Sequence, residues 1–294
     1  MTSILLGILE QGMIYGIIAL GVYITYKILD FPDLTVDGSY PLGAAITALL
    51  ISNNISPYLA LLLSLLAGAM AGVVTGLIHV KGKVRDLLSG IITMTALYSI
   101  NLHIAGSANV PLFESVTIFN HPINDVLFPG FLAPFKTVII IGIITILAKI
   151  GMDLYLKTRN GYLLQAVGDN HHVVTSLAQN KGTVKIIGLA IANGLVALAG
   201  SIMCQQQRFF EVTMGTGTIV IGLAAVIIGL SLFKKLSFVK ATTAVIFGSI
   251  LYKACVATAI ALGMPANDMK LATAVLFLVI LILSMERKKK VKPC

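Results

Sequence analysis

The stretch Phe31-Pro-Asp-Leu-Thr-Val-Asp-Gly38, continued by Ser39-Tyr-Pro-Leu-Gly43-Ala-Ala45, has a second copy in the same chain. Phe210-Glu-Val-Thr-Met-Gly-Thr-Gly217 and Thr218-Ile-Val-Ile-Gly222-Leu-Ala224 align with it without a gap, matching Phe31/Phe210, Gly38/Gly217, Gly43/Gly222 and Ala45/Ala224. In each half a long apolar run precedes the segment and two follow it, while one additional run separates the halves. The count between copies is therefore odd, and the second copy runs inverted relative to the first. Short, Gly-interrupted segments at matching positions of inverted halves mark the solute pathway in transporter folds.

The surrounding composition is that of a chain dissolved in lipid. Of 294 residues, 57% are hydrophobic and 11% charged, with a mean hydropathy of +0.95. Soluble domains carry about 25% charged residues. A spanning helix needs about 20 mostly apolar residues. That rule places spans near 4–27, 39–53, 57–80, 87–106, 134–156, 184–205, 217–233, 239–262 and 269–285. The expected architecture is an all-α polytopic membrane protein of about nine transmembrane segments, in two inverted repeats with short discontinuous helices. Its expected divisions are a first repeat with an external loop (1–133), a linking helix (134–157), a cytoplasmic coupling region (158–182), and a second repeat with a basic tail (183–294).

The net charge of +9 is concentrated between spans, in Lys81/Lys83/Arg85, Lys157/Arg159/Lys181/Lys185, Lys234/Lys235/Lys240 and the tail from Arg287 to Lys292. Placing these clusters in the cytoplasm makes the spans alternate without contradiction, with the N-terminus outside. The outer side then keeps Lys136, Arg208 and Lys270, and its longest segment, 107–133, reads as an irregular loop or a docking place for an external partner. Basic residues between spans are not a nucleic-acid face, which needs a folded soluble surface. The N-terminus lacks the basic region and cleavage site of a removable signal peptide and reads as the start of the first span.

Catalytic signatures are missing from the sequence: it holds no HExxH, GxSxG or Walker A motif. Cys204, Cys255 and Cys294 are scattered, with no metal-ligand or disulfide spacing. The adjacent pair His171-His172 reads as a solvated loop pair, since neighbours on a helix do not face one ligand. No cofactor is expected, and any ATP hydrolysis that drives the protein must come from another chain.

Three sets of polar residues stand out. The first is the island 158–182, read either as a short amphipathic helix on the cytoplasmic face or as an ordinary loop. Gly161, Ala166 and Gly168 are small enough for a partner surface to approach, and Asp169 and Asn170 are placed to cap a following turn. The second set lies inside spans, where ionisable residues are functional by default. Glu10, beside Gln11, and Lys253 either meet a solute, pair with each other, or reach water near an interface. The third set frames the short segments: Asp33, Asp37, Gly38 and Ser39 in the first copy, Thr216, Gly217 and Thr218 in the second. Free backbone groups at half-helix ends face either a polar solute or an adjoining helix. Thr93, Thr95, Tyr98 and Asn101 step along span 87–106 as a pore-lining stripe or as helix-to-helix hydrogen bonds. A Gly68/Gly72/Gly76 ridge permits close helix packing, within the chain or at a dimer contact.

The island Thr158-Arg-Asn-Gly-Tyr-Leu-Leu-Gln-Ala-Val-Gly-Asp-Asn170 resembles the coupling loop of ABC importer permeases of the branched-chain amino acid and ribose type. That pattern is approximately Thr-basic-x-Gly-x-x-x-Arg-Ala-x-Gly-x-Asn-Pro. This chain supplies Thr158, Arg159, Gly161, Ala166, Gly168 and Asn170 and departs at Gln165 and His171. The resemblance extends through Leu34–Ala45, Leu88–Asn101, Leu189–Gly200 and Met214–Gly229, and is similar to the subgroup described as tryptophan/tyrosine importer permeases. It implies ATPase contacts at Thr158, Arg159, Gly161, Gln165, Ala166, Gly168, Asp169 and Asn170. It also implies a multi-pass permease of the bacterial cell membrane, a second permease copy forming a homodimer, and separate ABC ATPase subunits. An extracytoplasmic solute-binding protein would deliver a small solute, an amino acid of aromatic or branched-chain type. The pathway would run past Glu10, Asp37, Gly38, Ser39, Thr95, Tyr98, Asn101, Thr216, Gly217 and Thr218. The rival reading is a secondary transporter driven by an ion gradient, with Glu10 as its ion ligand. A non-transporting scaffold or channel is a third, disfavoured by the inverted repeat.

Overall fold

A computed structural model describes residues 2–122, 124, 134–169, 181–234, 236 and 238–263, and further on 265, 268, 271, 273–275, 277–279 and 282. The first helix, α1 (Thr2–Val22), continues as a π-helical turn, Tyr23–Ile28. Then come α2 (Val36–Ser52), α3 (Pro57–Val80), α4 (Asp86–Ala105), β1 (Asn109–Pro111), α5 (Lys136–Leu156) and α6 (Arg159–Asp169). The second half has α7 (Lys181–Gln207), β2 (Phe209–Glu211), α8 (Thr218–Leu232) and α9 (Ala241–Ala261). Among the described residues, six helices are long and apolar enough to cross a membrane; α2 and α8 are shorter apolar helices. The expected span 269–285 lies mostly outside the described residues.

Helix boundaries follow local chemistry. Pro57 opens α3 at a position whose N–H has no intrahelical partner. Gly106 closes α4 in the left-handed conformation, φ 76°. Span 4–27, expected as one regular helix, widens at its end: Leu29 donates to the Ile24 carbonyl at 2.9 Å, the five-residue spacing of a π turn. The expected irregular loop after α4 contains β1, which pairs antiparallel with β2, Val110 opposite Phe210. Backbone groups leaving a helix end still need partners, and Gln205 supplies one more, its side-chain oxygen accepting from the Ile118 N–H at 2.9 Å.

The central element is α7, about 40 Å long at 1.5 Å per residue and the most enclosed of the spans. It packs against α3 and α2 most extensively. Close approach is set by glycines. A Cβ at Gly72 would collide with the Leu189 carbonyl, one at Gly68 with the Asn193 carbonyl and the Ala197 side chain, and one at Gly76 would sit 2.9 Å from the Ile186 Cα. The Gly68/Gly72/Gly76 ridge is therefore an intrachain seam with α7, which corrects the option of a dimer contact. On α7's other side Gly43 and Gly200 let α2 come to backbone contact with it, against the Ala197 and Tyr40 carbonyls respectively.

Hydroxyls bridge the same seam. Thr47 Oγ1 lies 2.5 Å from Ser201 Oγ and 3.3 Å from Ser64 Oγ, all three fully buried. Between helices in lipid, where hydrophobic burial gives no driving force, such small residues and polar pairs hold the packing. The outward faces are apolar: Leu62, Leu66, Met70 and Val74 form a four-residue-spaced exposed stripe on α3, and Ile143, Ile146, Leu147 and Ile150 one on α5. Exposed apolar area of this extent is suited to hydrocarbon rather than water.

Contacts collect the basic loops at one end. Lys185 Nζ is 3.3 Å from His79 Nε2, Asp153 bonds Lys240 and Thr242, and α6 packs against α5, α7 and the π turn. Pro57, Gln205 and the β1–β2 pair meet at the opposite end.

Candidate functional site

The first short segment does not begin at a membrane surface. After the π turn, residues 29–35 run back along α7, and Val36 starts α2 beside the middle of that helix. The evidence is Asn193, twelve residues from the α7 start and so about 18 Å along it. Its Nδ2 donates to the Asp33 carboxylate at 2.7 Å and to the Leu189 carbonyl at 3.0 Å; its Oδ1 accepts from Ser39 Oγ at 2.7 Å. The second Asp33 oxygen accepts from the Thr35 N–H at 2.9 Å. Asp33, Ser39 and Asn193 are all buried, so this clamp satisfies polar groups that have no water to turn to.

The second short segment arrives at the same point from the other end. From β2 the chain descends to Gly217, whose φ of 85° needs a residue without a Cβ, and α8 starts at Thr218. The Asp37 carboxylate, in the first turn of α2, accepts from the Gly217 N–H at 3.0 Å and the Ile219 N–H at 2.8 Å. It thereby caps a helix of the other half. Two helix N-termini converge here, each with a positive dipole end, and Asp37 supplies the negative charge that this arrangement favours. Pro41 contributes by omission: it has no N–H for the Asp37 carbonyl, and Gly215 packs on that carbonyl and on the Pro41 ring.

Beside this junction lies a cavity of about 290 Å³. Of the ten residues expected along the pathway, Asp37, Gly38, Thr95, Tyr98, Asn101 and Thr216 line it. The polar stripe on α4 thus divides. Thr95 and Tyr98 are exposed toward the opening, while Thr93 is buried and turns back to the Ser89 carbonyl. Asn101 does both things the sequence allowed: its Nδ2 donates to the Gly38 carbonyl at 3.1 Å, tying α4 to α2, and it borders the cavity. Ser39 faces α7 instead, and Gly217 and Thr218 stand behind the Asp37 carboxylate as part of the capped turn.

Glu10 and Lys253 are elsewhere. Glu10 accepts from Gln206 Nε2 at 3.0 Å, near the end that holds the β pair. Lys253 donates to Gln11 at 3.3 Å and sits 3.9 Å from the Tyr15 ring centroid, so the two ionisable residues have separate partners rather than each other.

The sequence reading overlooked Asn193 and Met94. An asparagine in the otherwise apolar run Leu189–Gly200 was the available signal for the first. Met94, a cavity wall residue, carried none.

The island forms the helix α6, with Gly161, Leu164 and Val167 buried and Arg159, Tyr162 and Gln165 exposed. Its small residues turn inward. A Cβ on Gly168 would collide with the Ile28 carbonyl at the end of the π turn, and one on Gly161 with the Tyr155 carbonyl. This corrects the expectation that Gly161, Ala166 and Gly168 face a partner: they let α6 lie flat on its own chain, and Ala166 packs against the core. Asp169 is the last residue of α6; its side chain, Asn170, His171 and His172, and with them the expected cap, lie outside the described residues.

The sequence has known relatives. The family profile described as "Branched-chain amino acid transport system / permease component" matches residues 4–284. The chain is 48% identical to the tyrosine transport system permease protein of Clostridioides difficile, over 94% of this chain and 90% of that protein. It is 30% identical to an uncharacterized protein of Rickettsia prowazekii, over 94% and 96%. Against the ribose import permease protein RbsC of Haemophilus influenzae the identity is 27%, over 76% and 68%. No solved structure matches the chain. With an all-helical span pattern and a profile match across nearly its whole length, the chain belongs to the branched-chain amino acid and ribose family of ABC importer permeases, a multi-pass membrane protein that is not itself an enzyme.

Proposed function

We propose that this chain is the membrane-spanning subunit of an ATP-driven importer for tyrosine or a closely similar aromatic amino acid. The observation that carries the substrate class is the 48% identity, over 94% of the chain, to a permease named for tyrosine transport. Two copies enclose the pathway, with the cavity beside Asp37 on its wall. ATPase subunits dock on the exposed face of α6, at Thr158, Arg159, Tyr162 and Gln165, and a binding protein delivers the solute to the opposite end. ATP binding drives the switch through its higher affinity for one conformation. The span count of nine and the inverted relation of the two halves belong to the same proposal, supported by the way Asp37 of one short segment meets Gly217 of the other. The gradient-driven alternative loses support from Glu10, which bonds Gln206 away from the cavity.

The test is reconstitution in liposomes with an ABC ATPase and an extracytoplasmic binding protein that co-purify with it. Labelled tyrosine should accumulate only with internal ATP and binding protein. Uptake that persists without ATP and collapses with an ionophore would establish the gradient-driven reading instead.

A further inference from the structure

The cavity beside Asp37 carries more than a passage. Among its described lining residues Asp37 is the charged one, with no lysine or arginine beside it. Its second feature is an amide oxygen. The Gly38 carbonyl fixes the orientation of Asn101, because an acceptor there requires the NH2 group to face it. Asn101 Oδ1 accepts a hydrogen bond from no described residue, and Asn101 is fully buried at the cavity wall. An acceptor in this position is the kind of buried group that calls for a partner.

Transporter half-helices commonly turn their N-termini toward an anionic group of the solute. Here that place is filled by the chain's own Asp37. A carboxylate offers about four lone-pair sites, and those not used by the α8 backbone remain for a donor in the cavity. Thr95 Oγ1, whose proton goes to the Ile91 carbonyl, can add only acceptance. The polar wall is thus rich in acceptors and negative charge. Met94, Pro41 and Val212 add apolar surface, and the volume of about 290 Å³ is near the lower end of the roughly 300–1,000 Å³ of small-ligand sites.

We infer that this cavity is a recognition station within the permease that binds the primary ammonium of the solute between Asp37 and Asn101, with its apolar or aromatic body against Met94 and Pro41. The inference rests on the importer reading above, and it gives the permease a selectivity of its own, separate from that of the binding protein. It predicts that the solute carboxylate adds nothing to binding.

The experiment is direct binding to the purified full-length permease in nanodiscs, with no binding protein. The ligands are tyrosine, tyramine (no carboxylate) and 3-(4-hydroxyphenyl)propionate (no ammonium). Tyramine should bind at least as tightly as tyrosine, and the desamino compound at least tenfold more weakly than tyramine. Asn101→Leu and, on the exposed face where folding is not at stake, Thr95→Val should each weaken tyramine binding, the first by about tenfold. Equal or tighter binding of the desamino compound on the unaltered protein overturns the inference, whatever the variants do. If tyramine binds as expected but ATP-driven tyrosine uptake fails, the importer reading falls and the station stands. If uptake is intact and no ammonium preference exists, the station falls alone.

Discussion

Removing the Asp37 carboxylate tests the junction between the two halves. In Asp37→Ala the Gly217 and Ile219 N–H groups, now bonded at 3.0 and 2.8 Å, lose their acceptor. Hydrogen bonds to charged groups are worth about 1.5–3 kcal/mol each, and loss of an N-cap side chain costs about 0.5–2 kcal/mol in protein hosts. The two figures overlap, because the bonds to Asp37 are the cap. Asp37 is also partly exposed at the cavity, so water replaces some of what is lost. A cost of about 2–3 kcal/mol follows for the first turn of α8, roughly a 30- to 150-fold shift at 1.4 kcal/mol per factor of ten. Asp37→Asn should fall between, since its amide keeps one acceptor but turns an NH2 toward a backbone N–H. Hydrogen exchange of the amides at 217–221 is the assay. They should exchange about 30 to 150 times faster in Asp37→Ala by that arithmetic, while the α3–α7 seam stays unchanged. Unaltered protection at 217–221 would refute the reasoning, because the capping bonds would then be carrying no load.

Other expectations follow from named contacts. Asn193→Ala strips the buried Asp33 carboxylate of its 2.7 Å donor and frees Ser39, so thermal stability in detergent should fall by the about 1.5–3 kcal/mol of a hydrogen bond to a charged group; a change in Tm under 2 °C would contradict the clamp. Gly168→Val drives a side chain into the Ile28 carbonyl and should cost about 1–3 kcal/mol while lowering ATP-coupled transport, read as uptake per ATP hydrolysed. Tyr162→Ala alters an exposed side chain of α6; stability should stay within about 0.5 kcal/mol, and ATPase co-purification should drop several-fold if this face is the docking surface. Asp153→Ala removes bonds to Thr242 at 2.6 Å and to Lys149 and Lys240 at 3.0 Å and should destabilise by about 1–2 kcal/mol. Lys240→Ala, losing one well-exposed ion-pair partner, should cost under about 1 kcal/mol by the same thermal assay.

Helix existence was legible because hydropathy alone separates spans from loops, and spans 57–80 and 87–106 agree with α3 and α4 to within a residue or so. Starts were less legible. α7 is helical from Lys181 rather than 184, three residues ahead of the apolar run on which the expected span rested. The facing of each helix was the larger gap. An all-apolar helix has no amphipathic phase to read, so the glycines of α3 and α6 announced close packing without saying against what. The cavity residues Asp37, Thr95, Tyr98 and Asn101 were legible as polar exceptions in apolar surroundings. Their division of labour was not, since it depends on which atoms meet the Gly38 carbonyl and the α8 backbone. The π turn and the β1–β2 pair left no pattern at all: six and three residues are too few to carry a period.

The stretch from Ile28 to Asp37 joins the two places where function is proposed. At one end Gly168 of α6 rests on the Ile28 carbonyl, and Leu29 fills the space that a side chain at Gly188 would take. In the middle Asp33 is held by Asn193, and Thr35 by Thr75 Oγ1 at 2.8 Å. At the other end Asp37 caps α8 at the cavity wall. Spatial continuity alone does not make a coupling route; that needs an element with two discrete arrangements. This stretch has the means for one. It carries no regular helix between Leu29 and Leu34, but Leu29 and Phe31 are fully buried in the core and hydrogen bonds pin Asp33, Thr35 and Asp37. A segment held by packed side chains switches between discrete arrangements rather than deforming gradually. A push on α6 therefore has a short, packed path to the Asp37 cap, and the α8 first turn is the part of the cavity wall most directly placed to respond.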